Sequence, residues 1–262
     1  MNKKQVQQKV LQNGKPLALS KFTWCEKTMT FSSDEDNLVF AFQNIEGVKI
    51  ISRDWSIQTA CSNSTQTAGG SSTQKAGESS TQTAGDNSTQ TAGGSSTQTA
   101  EGWSTQTAEH NSTQTAEGWS TQTAGSGSTQ TAEHNSTQTA GHNSTQTAEG
   151  SSTQTAGSGS TQTAEGWSTQ TAGSGSTQTA GYNSTQKAGE SSTQTAGYNS
   201  TQKAGGSSTH FIDDRCQVAT GYESIIHVDG NDCAIINRNV FELIQPKSGD
   251  IIQISPDNIG VI

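Results

Sequence analysis

Threonine pairs set two residues apart recur through the middle of this 262-residue chain, and they are the side chains with chemistry to offer. The motif Ser-Thr-Gln-Thr returns at fixed spacing, as at 80–83, 96–99 and 112–115. A threonine carries a methyl and a hydroxyl on one branched carbon, and its restricted χ1 presets where both point. Methyl groups leave water caged around them while hydroxyls anchor it, so a regular threonine array orders the water layer it faces. Such an array has no cleft. Serines, histidines and acids are scattered through equivalent turns with nothing on which to converge, so neither an enzyme nor a cofactor is expected.

The elements that must hold these threonines follow from the period. From Ala60 the chain reads A-x-x-x-S-T-Q-T, and the alanine returns every eight residues to Ala204, eighteen octads without an insertion or deletion. Disorder tolerates insertions, so an unbroken register means that each octad stacks on an equivalent of itself. Ser-Thr-Gln-Thr has the length and β-branched content of a short strand, and the three variable residues are turn formers. Trp103, Trp119, Trp167, Tyr182 and Tyr198 all fall in every second octad, as do Lys75, Lys187 and Lys203. That shared parity makes two octads one coil. The expected fold is all-β: a β-solenoid of about nine sixteen-residue coils over 60–204, two short strands per coil, with an N-terminal cap at 1–59 and degenerate coils ending in a hydrophobic cap at 205–262.

Strand alternation puts Ser, Gln and Ala on one side and both threonines on the other. Lysine in place of the second threonine would be very costly inside, so the threonines face water and the core is narrow and polar. The interior glutamines and serines must then hydrogen-bond to copies of themselves or to backbone. The two faces are unequal. One carries nine Thr-x-Thr rows: Thr65/Thr67, Thr81/Thr83, Thr97/Thr99, Thr113/Thr115, Thr129/Thr131, Thr145/Thr147, Thr161/Thr163, Thr177/Thr179 and Thr193/Thr195. The other carries six, from Thr89/Thr91 to Thr169/Thr171, because lysine interrupts it at both ends. Rows about 4.8 Å apart, with threonines about 6.7 Å apart within each, make a two-dimensional lattice.

Composition narrows the partners. A net charge of −9, with three lysines and no arginine from 60 to 203, excludes a nucleic-acid surface, which needs clustered cations. No segment has a signal-peptide core or reaches transmembrane length. Four cysteines, Cys25, Cys61, Cys216 and Cys233, lie at or beyond the edges of the array and read as ordinary small cap residues or a cap disulfide.

The segments Ala180-Gly-Tyr-Asn-Ser-Thr-Gln and Ala196-Gly-Tyr-Asn-Ser-Thr-Gln, with the many copies of Ser-Thr-Gln-Thr-Ala-Gly, resemble the sixteen-residue repeat of bacterial ice-nucleation proteins. The resemblance covers the repeats, not the termini. It implies a β-solenoid whose Thr-x-Thr rows organise water into ice, with ice or ordered water as partner and the nine-row face as the site. Three departures qualify it. Family members usually pair a Ser-Thr-Gln-Thr octad with one containing Leu or Ile, their arrays are far longer, and their tyrosine ladder is represented here only by Tyr182 and Tyr198. A short array nucleates poorly, so inhibition of ice growth or recrystallisation is expected over efficient nucleation. The alternative is a structural or self-assembling solenoid, a surface or adhesive element, in which threonine is only a good exposed strand former. Replacing Thr129, Thr131 and Thr145 by Lys separates the two.

Both ends suit capping, because solenoid ends expose unpaired strand edges. Ile212, Val228, Ile236, Ile244 and Ile252 keep the inward beat of the alanines, and Pro246 and Pro256 disfavour further pairing. Leu38-Val-Phe-Ala-Phe and Val48-Lys-Ile-Ile read as strands, and the Lys-rich start as a short helix or a frayed end. Arg53 and Arg215 flank the array as solvated edge charges. Seven Asn-Ser-Thr sequons arise automatically wherever Asn takes the last turn position. His110, His134 and His142 lack metal spacing, and Asp86 is the array's sole aspartate, too few for a calcium β-roll. The tryptophans either pack between coils at a corner or join a side-by-side homodimer or higher assembly.

Overall fold

A computed structural model describes residues 1–237, 242–254 and 259–261. The chain falls into two compact units, Met1–Gln130 and Thr131–Ile262. Both are β-solenoids, and together they make about 13 coils of about sixteen residues, not the nine expected.

The difference in number comes from the caps, which also coil. In the first unit Val39 pairs with Ile57 and Thr30 with Lys49, offsets of 18 and 19 before the strict sixteen sets in. The interior of these irregular coils is aliphatic and aromatic: Phe22, Phe31, Leu38, Phe40, Phe42, Val48 and Ile50 are buried together. Large side chains supply there the adhesion that uniform stacking supplies in the repeats. A helix at Lys3–Gln7, closed by a capping box between Asn2 and Gln5, lies over this end. The hairpins Val10–Gln12 with Lys15–Pro16 and Thr23–Cys25 with Thr30–Ser32 pair antiparallel, which stops the stack.

Within the repeats the first unit pairs its strands parallel and in register. Thr65–Thr67, Thr81–Ala84, Thr97–Ala100 and Thr113–Ala116 form one sheet, so that Thr81 meets Thr65 and Thr97. Thr73–Lys75, Thr89–Ala92, Thr105–Ala108 and Thr121–Thr123 form the other. The second unit repeats the plan, with Thr145–Ala148 through Thr193–Ala196 in one sheet and Thr137–Thr139 through Thr201–Lys203 in the other.

The inward side is polar, as the lysines require. Every Gln from Gln58 to Gln202 is fully buried, and the Ser before each strand is at most 2% exposed. What makes this tolerable is complete use of the glutamine amide. Gln98 donates one Nε2 hydrogen to Gln82 Oε1 at 2.8 Å and the other across the core to the Thr107 carbonyl at 3.0 Å. Its own Oε1 accepts from Gln114 at 2.8 Å. Each amide thus ties a coil to its predecessor and one sheet to the other, which a leucine could not do. The serines follow the same logic: Ser64 N–H donates to Ser80 Oγ at 3.3 Å, and Ser64 Oγ donates to the Cys61 carbonyl at 2.7 Å.

The C-terminal coils exchange this ladder for a greasy interior. Ile212, Val218, Ile226, Val228, Ile235, Ile252 and Ile254 are buried together with Cys216 and Cys233. The inward beat holds at Ile212, Val228 and Ile252 but fails at Ile236, which is 41% exposed. Val218 pairs with Ile235, an offset of 17, so one inserted residue puts the preceding isoleucine, Ile235, inside instead. Antiparallel pairing of Ala234–Asn237 with Glu242–Ile244, and of Ile225–Val228 with Ile251–Ile254, then ends the stack. Pro256 and the side chain of Ile244 lie outside the described residues.

His210 sits at the junction. It replaces a ladder glutamine, is 0% exposed, and its Nδ1 lies 3.0 Å from Gln202 Oε1. An amide oxygen only accepts, so the imidazole proton is on Nδ1, leaving Nε2 and Gln194 Oε1 with no hydrogen-bond partner. Burial lowers the pKa of His210 from its ordinary 6.5 to about 4. Between those values the unfolded chain takes up a proton that the folded chain refuses, so the stability present in full above pH 6.5 falls as pH drops, by about 2 kcal/mol at pH 5. His210→Gln restores a donor to Gln194 Oε1. Denaturant unfolding at pH 7 and pH 5 is expected to show this loss in the parent and not in the variant.

Candidate functional site

The eighteen threonines of the nine-row set all lie on the outward side of their strands. In the first unit Thr65, Thr81, Thr97 and Thr113 form one column and Thr67, Thr83, Thr99 and Thr115 the next. In the second unit Thr145, Thr161, Thr177 and Thr193 form one column and Thr147, Thr163, Thr179 and Thr195 the other. Thr129 and Thr131, on the strand Thr129–Ala132, are exposed in the same alternation. Thr65, Thr67 and Thr193, at the outer rows, are half-buried, and the remaining threonines of the set are exposed.

The structure therefore brings together, within each unit, what the spacing assembled on paper. Parallel in-register pairing is what produces a lattice: each threonine has the same residue one strand away, so methyl repeats over methyl and hydroxyl over hydroxyl. No ionisable side chain interrupts the nine rows. The six-row set is built the same way but bounded by charge, with Lys75 beside Thr91 and Lys187 beside both Thr171 and Lys203. Past the last row of the nine-row set in the second unit the same outward positions hold Phe211 and His227, whose rings stack at 4.7 Å.

The turns explain residues that the period alone did not. The last turn residue of nearly every octad has positive φ. Asn63, Asn87, Asn111, Asn135, Asn143, Asn183 and Asn199 all lie between 53° and 57°. Asparagine is among the few residues that tolerate this region, which accounts for every sequon by backbone conformation. Trp103, Trp119 and Trp167 occupy the same position at 53° to 57°, at a cost of order 1 kcal/mol each. They line only the turns that lead into the six-row strands. Trp103 and Trp119 stack at 5.1 Å and 9°, and Trp167 meets Tyr182 edge-on at 4.5 Å, so packing from coil to coil is present. Arg215, taken from sequence as a solvated charge, donates from Nη1 to Tyr198 Oη at 2.7 Å.

The histidines take local partners at opposite corners: His142 Nδ1 accepts from Ser158 N–H at 3.0 Å, and His134 Nδ1 lies 3.8 Å from Glu149. Among the described residues the four cysteines are free, with Cys216 and Cys233 buried at ladder positions that serine holds elsewhere. Burial pushes both thiols up from their ordinary pKa. No helix among the described residues is long and apolar enough to cross a membrane.

These features define a class, a polar-core β-solenoid displaying an in-register threonine lattice. No family model matches the chain, and neither a curated protein nor a solved structure matches it.

Proposed function

We propose that the chain binds ice through the nine-row threonine set, and that its effect is to inhibit ice growth or recrystallisation, with weak nucleation at most. The observation that carries this is the in-register repetition, within each unit, of exposed Thr-x-Thr rows with no charged residue among them. An extended surface with one repeating pair of groups is suited to a repeating ligand, and ordered water is the ligand whose hydrogen-bonding groups repeat without limit. The core supports the reading: amide ladders clamp the coils at one register, so the lattice is held before the ligand arrives and little entropy is lost on binding. The residues assigned to the site are those of the nine rows from Thr65/Thr67 to Thr193/Thr195.

The competing reading is a structural or self-assembling solenoid, and what argues against it is that from Thr65 to Lys203 every lysine lies on the sheet of the six rows, while the nine-row sheet meets a lysine only beyond its first row, where Lys49 pairs with Thr65. Were threonine only a strand former, both outward faces would accept lysine alike. The test is partition of the purified chain into a slowly growing ice hemisphere, beside a globular protein of equal charge. Enrichment in the ice above that control is expected, and exclusion from it equal to the control's would overturn the assignment.

A further inference from the structure

The corner carrying the tryptophans has features that neither the lattice nor the core explains. In the first unit the turns leading into the six-row strands hold Glu101-Gly-Trp103 and Glu117-Gly-Trp119 in successive coils. Trp103 is 59% exposed and Trp119 50%. Both take the left-handed conformation that Ser and Asn fill at the same turn position, at Ser71 and Asn87. A bulky residue there strains the backbone, and half-exposed indoles return little burial for it. Carboxylates accumulate at this corner too, since Asp86 joins Glu101 and Glu117 in the first unit, beyond the turn where Asp54, next to Arg53, accepts from Gly70 N–H at 2.9 Å. An acidic strip with indoles standing out of it is complementary to a planar cation, which stacks on the ring face and forks to the carboxylate.

The second unit shows this recognition within the chain. There Arg215 lies over the Tyr198 ring at 5.6 Å while donating to its hydroxyl, in the turn series that also holds Glu165 and Trp167. A tyrosine at this corner thus holds a guanidinium in the second unit, while Arg53, at the same corner of the first unit, pairs with Asp34 at 3.7 Å.

We propose that the corner formed by Glu101, Trp103, Glu117 and Trp119 is a docking surface for an arginine-bearing basic peptide segment. A second copy of the chain, corner to corner, is the less suited occupant, because it would set Glu101 and Glu117 against identical carboxylates.

The experiment titrates a fluorescently labelled poly-arginine peptide with the full chain and reads anisotropy, with polyglutamate and polylysine peptides of equal length alongside. Saturable binding of poly-arginine is expected, several-fold tighter than polylysine, with none to polyglutamate. The variant Trp103→Ser/Trp119→Ser uses the residue already found at Ser71, and unchanged circular dichroism checks its fold. It is expected to bind roughly tenfold more weakly, as is Glu101→Gln/Glu117→Gln. Three results would overturn the proposal: no binding; binding that the serine variant leaves intact or that polylysine matches, which reduces it to charge alone; or a sedimenting dimer that the serine variant abolishes while the peptide does not bind.

Discussion

Lysine at Thr83, Thr115, Thr147 and Thr179 is expected to remove ice affinity while leaving the solenoid folded. These positions alternate along the nine-row set, so no two adjacent rows stay intact and no new lysine stands beside another. Each change removes a methyl and a hydroxyl from the lattice and substitutes an ammonium whose water is tightly held in a geometry of its own. Four methyls at about 0.8 kcal/mol each correspond to roughly a two-hundredfold loss in affinity. The fold supplies its own control, since Lys75, Lys187 and Lys203 already occupy the equivalent outward position in strands that flank the six rows in their sheet. Unfolding free energy is accordingly expected to shift by less than about 1 kcal/mol. A companion variant, Thr107, Thr139 and Thr171 to Lys, loads the opposite set and is expected to keep most of the ice partitioning. If the companion loses affinity and the first variant keeps it, the site has been placed on the wrong face.

Inside the coil the expectation is reversed, because the cost there is structural. Gln98→Leu fits the space but leaves Gln82 Oε1 and the Thr107 carbonyl without the donor that Gln98 gives each, and takes from Gln114 the acceptor of one amide hydrogen. Buried polar groups stripped of a partner carry a penalty of about 1–3 kcal/mol each, so a loss of about 4 kcal/mol is expected by chemical denaturation. Hydrophobicity alone predicts the opposite sign, since leucine is the better core residue by transfer. A loss below about 1 kcal/mol would show that the ladder is incidental to stability. Thr97→Val, on the outward side of the same strand, is the comparison and is expected to be nearly neutral.

The repeats were legible because their rules are local. Lysine at one strand position told inside from outside, and shared parity of Trp, Tyr and Lys told that two octads make a coil. The caps were less so, since a strand that stacks at an offset of 17, 18 or 19 leaves no period to find. Ile236 shows the consequence: the beat pointed inward, but a single extra residue before Ile235 turned it out. His210 was passed over for a related reason. Its place in the beat is that of a glutamine, yet only the three-dimensional ladder shows that an amide acceptor, Gln194 Oε1, is stranded there when imidazole replaces amide. The Thr lattice lay between these cases, its rows readable from spacing and its register supplied by the pairing.

The strict offset of sixteen also sets how such an array can change in length over generations. Recombination between repeats that adds or removes sixteen residues replaces one coil by an identical set of bonds, so the ladders and both threonine sets survive. A slip of eight residues stays almost invisible in the local sequence, because every octad reads alike. Downstream of that point it would exchange the two faces, bringing Lys187 and Lys203 into line with the nine-row set and the tryptophan corner to the opposite edge. Selection on one face therefore counts in pairs of octads, and the parity of Trp and Lys along the chain is the record of that counting.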